Sequence, residues 1–297
     1  MRGCWRWFAF LALCVISATA WIAETVWPSA LPFPSRFCLE DGVLCLLLLP
    51  FAGKGWRQSS FRHWLKIALW GAALLAGPTL IAASAAPAVS AVAASLIFTA
   101  IPVVVILVAA ESEAGFGAGA GARPQVGTAL AGVAGALLIL PLTLPDSRAG
   151  IGWLGAMVLA MVLSGVAIVK LHRLLAAAPL NSCLAAICGA SSLGGLGFAL
   201  SQGRWPTRLN GADWGHETAL FLLVDAPLWG LTVGLVRDLE PRRFCSIYIL
   251  TPLLVVVEGV VIVRPSLTWT FFAGVALMAF AAWGLLSPDD SPDAPLV

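Results

Sequence analysis

Runs of roughly twenty predominantly apolar residues follow one another along almost the whole chain. A bilayer core about 30 Å thick is crossed by about 20 helical residues at 1.5 Å each, so each such run predicts a spanning helix. The runs lie at approximately 8–27, 37–52, 64–83, 88–110, 126–145, 150–169, 180–200, 217–236, 244–263 and 268–286. They predict an all-α membrane protein of about ten transmembrane helices. Composition agrees: 60% of the 297 residues are hydrophobic and 11% charged, against about 25% charged in soluble chains. A water-facing surface could not be built from this set. Pro87, Ser84 and Ser90 separate the third run from the fourth. Arg2, Arg6 and the small residues Ala18-Thr19-Ala20 also fit a secretory signal. The apolar run continues through Trp27, however, which makes it long enough to span, and an uncleaved helix is expected.

Basic residues set the expected orientation. With the N-terminus inside, alternation leaves twelve of the 17 Lys and Arg on the cytoplasmic side and five, Arg36, Arg148, Arg204, Arg208 and Arg264, opposite. An even number of spans puts both termini in the cytoplasm. The expected location is the inner (cytoplasmic) membrane as a multi-pass protein. Most tryptophans fall near run ends, where an amphipathic ring suits the headgroups, whereas Trp21, Trp70 and Trp229 lie deeper.

The polar stretch Pro145, Asp146, Ser147, Arg148 divides the chain into 1–145 and 149–288, followed by a cytoplasmic tail, 289–297. Five spans in each half is an odd number, so the halves would enter the membrane from opposite sides. Such inverted five-helix repeats typify secondary transporters. Ala131-Gly132-Val133-Ala134 recurs as Ala273-Gly274-Val275-Ala276. Ser95 precedes Ile101-Pro102, and Ser246 precedes Thr251-Pro252. Pro102 and Pro252 are candidate helix breaks, since an interior proline removes a backbone hydrogen bond and can leave carbonyls facing a solute path. A packing kink is the alternative.

This layout resembles the EamA-type permeases of the drug/metabolite transporter superfamily, as two EamA repeats. The stretches carrying the resemblance are Ala88 to Glu113 with Val126 to Leu140, and Ala219 to Leu286. The chain departs from the family in its first span, Ile16-Ser17-Ala18-Thr19-Ala20-Trp21, and in Arg264-Pro265, where a Gly-Glu-Arg-like turn is usual. The resemblance implies ten helices in two inverted repeats around a central cavity. It also implies movement of a small organic metabolite such as an amino acid or amine, frequently outward.

Ionisable groups inside a bilayer are costly and therefore functional candidates. Asp225 lies well inside the eighth run and Glu258 inside the ninth. Either could bind a cationic group or exchange a proton, or could form a structural ion pair, as Glu258 with Arg264. Glu24, Glu40 and Asp41 sit near run ends, with Glu24 to Arg36 an available pair. Trp229, one turn from Asp225, and Trp21 could flank an organic cation. Gly230 and Gly234 form a GxxxG, which suggests close helix packing. Ser17, Thr19, Ser95, Thr99 and Thr251 could hydrogen-bond a solute or bond back to their helices. The Gly115–Ala122 tract predicts a flexible loop.

The seven cysteines form no CxxC pair and the three histidines form no cluster, so neither metal nor cofactor is expected. GxxxxGK[ST], HExxH and GxSxG are absent, and an enzyme is not expected. The expected partners are a small-molecule solute, the lipid bilayer and, for coupling, protons, with no nucleic acid. The alternative is a non-transporting scaffold or sensor, or a lipid-handling membrane protein.

Overall fold

The computed structural model describes residues 2–26, 28–29, 31–56, 59–113, 119–140, 145, 147–203, 205, 211–263 and 268–287. In chain order the helices are α1 (Arg2–Val26), α2 (Phe33–Trp56), α3 (Phe61–Ala85), α4 (Ala91–Phe98), α5 (Ile101–Glu113), α6 (Gly119–Ile139) and α7 (Arg148–Leu175). They continue as α8 (Leu180–Ser201), α9 (Gly211–Leu220), a π-helical turn (Phe221–Asp225), α10 (Ala226–Asp238), α11 (Pro241–Phe244), α12 (Ile247–Val263) and α13 (Trp269–Leu286). No strand occurs among the described residues.

Seven helical stretches among the described residues are long and apolar enough to cross a membrane. α2 is not one of them, since it carries Arg36, Glu40, Asp41 and Lys54. Large apolar side chains cover the outside of the bundle. Leu193 is 71% exposed and Trp283 76% exposed. Water would penalise such a surface, whereas lipid does not, and this fits a multi-pass membrane protein.

Polar residues punctuate the helices as local chemistry dictates. Ser90 caps α4 by accepting from the Ala93 amide, and Ser147 caps α7 by accepting from the Gly150 amide at 3.0 Å. Of the Gly115–Ala122 tract expected to be a loop, residues 119–122 are helical, since α6 begins at Gly119, and 115–118 lie outside the described residues. Alanine is the strongest helix former and offsets the glycines there.

α2 packs along α8, and α6 along α13. α3 lies against α7 and α8, α5 against α7 and α6, and α1 against α10 and α12. The main core joins Phe10 and Leu13 of α1, Ile67 and Leu74 of α3, Ile101 and Val105 of α5, Ile168 of α7, Ile187 of α8 and Trp229 of α10. A second core joins Ile106, Ala129, Ala136, Ile249 and Met278 across α5, α6, α12 and α13.

Close approach is concentrated at a few glycines. A Cβ on Gly135 of α6 would lie 2.7 Å from the Gly274 carbonyl oxygen of α13, and one on Gly274 would lie 2.6 Å from the Gly135 carbonyl oxygen. Gly230 and Gly234, where the GxxxG spacing predicts such a contact, face open space within 4 Å. Spacing puts two glycines on one helix face, but it does not determine whether a neighbouring helix lies against that face.

Candidate functional site

A cavity of about 500 Å³ opens between α1, α3, the α4–α5 junction, α10 and the α11–α12 region. Backbone irregularities shape its surroundings. α4 ends at Phe98 and α5 begins at Ile101. Pro102 has no amide hydrogen to continue the ladder, and the Thr99 amide and hydroxyl both bond the Ser95 carbonyl, at 3.0 and 2.8 Å. The second interruption is at Cys245–Ser246, between α11 and α12. Pro252, expected to break its helix, lies inside α12, which continues past it. One missing hydrogen bond can be absorbed without ending a helix when neighbouring turns hold. Pro78 likewise lies inside α3.

A further irregularity is the π turn before α10, where the Ala226 amide bonds the Phe221 carbonyl. Pro227 follows immediately, and a widened turn relieves the crowding between its ring and the preceding turn.

These prolines have a common chemical effect. Each removes the amide that would have bonded the carbonyl four residues earlier. Those carbonyls belong to Leu74 for Pro78, Phe98 for Pro102 and Tyr248 for Pro252, and all three residues line the cavity. The corresponding residue for Pro227, Leu223, faces outward and is not a lining residue.

Several residues singled out in the sequence meet here. Ser95, Thr99, Trp229, Thr251 and Pro252 all line the cavity, as does Ser17. The hydroxyls of Thr79, Thr99 and Thr232 bond back to their own helices at 2.8, 2.8 and 2.7 Å. Thr251 is different: its Oγ1 is buried and has no hydrogen-bond partner. Thr79, Thr232, Phe98 and Tyr248 also line the cavity and were not anticipated. Phe98 and Tyr248 lie four residues before Pro102 and Pro252, a spacing that could have identified them.

Asp225, Glu258 and Pro102 are not among the lining residues. Trp21 lies on α1 with its side chain outside the described residues, as does that of Glu24, and Arg264 lies outside them altogether. The partner of Asp225 comes from a distant helix. Arg36 Nη2 of α2 donates to Asp225 Oδ2 at 2.7 Å, and Arg36 Nε donates to Glu40 Oε1 at 2.9 Å. Glu217 Oε2 lies 3.9 Å from Arg36 Nε, and Ser29 Oγ donates to Glu217 Oε1 at 2.8 Å. The next residue of α2, Phe37, meets Trp229 edge to face with ring centroids 5.7 Å apart. Two successive α2 residues thus grip two residues one turn apart on the π–α10 segment. The ion cluster and the cavity wall are mechanically joined through Trp229.

No family model matches the chain, and no curated protein matches it. The fold itself is a known one. A solved structure, described only as "Crystal structure of protein", superposes over 95% of this chain and 96% of its own. The TM-score is 0.70 and the identity 18%. Likeness at that identity establishes architecture, and the chemistry of the cavity is a matter for this chain's own residues.

Proposed function

We propose that the protein is a secondary transporter of a small organic solute across the cytoplasmic membrane, with the cavity of about 500 Å³ as its solute site. The observation that carries this reading is the cavity itself. It is a mostly apolar chamber with a few convergent hydroxyls, bordered by interrupted and proline-bearing helices inside a lipid-facing bundle.

The proposed architecture is ten spans in two inverted repeats, with both termini cytoplasmic, as in the EamA-type drug/metabolite transporters that the sequence resembles. In this scheme α4 with α5, α9 with α10, and α11 with α12 each form one span. Much of the packing supports it, the exception being α3 against α8, which has no comparably extensive counterpart between α10 and α2. Exchanging the halves maps α2 against α8 and α6 against α13 onto themselves, α3 against α7 onto α10 against α1, and α5 against α7 onto α12 against α1. Some lining positions fit the same exchange: Thr79 of α3 corresponds to Leu228 of α10, and Phe98 to Tyr248. The Arg36–Asp225 cluster ties α2 to the π–α10 segment beside the cavity, where an alternating-access movement would have to act. Proton exchange at Asp225 or Glu258 belongs to this proposal as its coupling hypothesis.

Uptake and efflux in proteoliposomes test the reading, with amino acids, amines, nucleobases and uncharged aromatic amides, each with and without a pH gradient. At least one solute is expected to move. Trp229→Ala is expected to lower that flux about tenfold or more, with Trp229→Phe retaining most of it, because the aromatic wall is what the solute contacts. A folded, inserted protein that moves no panel member would favour the scaffold or lipid-handling reading.

A further inference from the structure

We infer that the cavity selects an uncharged, aromatic or otherwise apolar solute that carries N–H or O–H donors, an inference resting on the cavity being the solute site. Every described residue lining it is uncharged. The carboxylates that could have met a cation are elsewhere: Asp225 is engaged by Arg36 at 2.7 Å, and neither it nor Glu258 is a lining residue. A charged solute entering this chamber would give up its hydration without gaining a counter-ion. An uncharged one loses much less.

The walls then determine what the solute must offer. Phe98, Trp229, Phe244 and Tyr248 supply aromatic surface. Three lining residues, Leu74, Phe98 and Tyr248, have lost the amide partners of their carbonyls to Pro78, Pro102 and Pro252. Thr251 adds a buried hydroxyl without a partner in a place where neighbouring threonines bond their own helices. A carbonyl can only accept and so favours a ligand that brings a donor, whereas the Thr251 hydroxyl can meet either a donor or an acceptor, and an unpaired buried polar group is costly. Thr251 and the proline-freed carbonyls are therefore the specificity-determining groups, and the aromatic walls supply shape.

The test is equilibrium binding to the purified full chain in nanodiscs, using one skeleton in four charge states: indole-3-acetamide, tryptamine, indole-3-acetate and tryptophan. The uncharged amide is expected to bind, with the cation, anion and zwitterion roughly tenfold or more weaker. Thr251→Val removes a hydroxyl that holds nothing in the fold. It should leave thermal stability unchanged or raised while weakening the amide about threefold to tenfold. Pro252→Ala returns an amide to the Tyr248 carbonyl and should likewise weaken the amide without loss of stability. Equal or tighter binding of any charged member, binding of none, or unchanged binding in both variants overturns the inference. Flux separates this from the transport reading. A neutral solute that binds but never crosses defeats transport and leaves the selectivity standing, whereas a charged solute that crosses and depends on Thr251 does the reverse.

Discussion

Replacing Arg36 with methionine is expected to destabilise the protein by about 3–5 kcal/mol, the cost of leaving buried carboxylates without their cation. Arg36 joins Glu40, Asp225 and Glu217 at 2.9, 2.7 and 3.9 Å, with its own side chain 8% exposed. Removing it leaves three acidic groups around an apolar stub. The measurement is the midpoint of thermal unfolding in detergent, which should fall by several degrees or more. Asp225→Asn should cost less, because the amide still accepts from Arg36 and Glu40 still pairs with it. Equal stability of Arg36→Met and wild type would mean that the cluster does not hold α2 against the π–α10 segment. If Asp225 carries coupling protons, Asp225→Asn should also flatten the pH dependence of flux while the protein stays folded, a readout that a purely structural role would not move.

Leucine at Gly274 is expected to abolish folded, monodisperse protein. The clash there is with backbone: an added Cβ lies 2.6 Å from the Gly135 carbonyl oxygen and 2.5 Å from Ile139 Cγ1. A carbonyl in a helix cannot rotate aside as a side chain can, so α6 and α13 must separate. Overpacking costs of about 1–3 kcal/mol are typical where side chains can adjust, and here they would be exceeded. Gly135→Leu should behave alike, since its Cβ meets the Gly274 carbonyl. Gly230→Ala and Gly234→Ala are the controls. Both face open space, and alanine gains up to about 1 kcal/mol of helix propensity over glycine. Size-exclusion profiles and thermal midpoints would separate the two pairs. Destabilisation at Gly230 or Gly234 comparable to that at Gly274 would contradict the packing described.

Part of the cavity wall is legible in the sequence, one residue at a time. The lining residues Ser95, Thr99, Trp229, Thr251 and Pro252 stand out in the sequence, because polar groups, prolines and deep tryptophans inside apolar runs need a reason. The acids were read less well. The sequence leaves Asp225 open to a structural ion pair but does not name its partner, which is Arg36, 189 positions away in the chain. Pro102 and Pro252 looked equivalent, but the chain is interrupted just before the first, while the second sits inside a continuous helix.

Sequence alone determined that this chain is helical and belongs in lipid. Both properties are local, depending on one run's hydropathy and on hydrogen bonds between residues four apart. It also determined which carbonyls lose a donor, since that follows from each proline's own chemistry. Tertiary structure decided what those local features face: that Arg36 meets Asp225, that Gly274 rather than Gly230 touches another backbone, and that Leu74, Phe98 and Tyr248 share one chamber. Each depends on how helices far apart in sequence rotate and approach. In lipid, that is governed by summed packing over many side chains rather than by any single run.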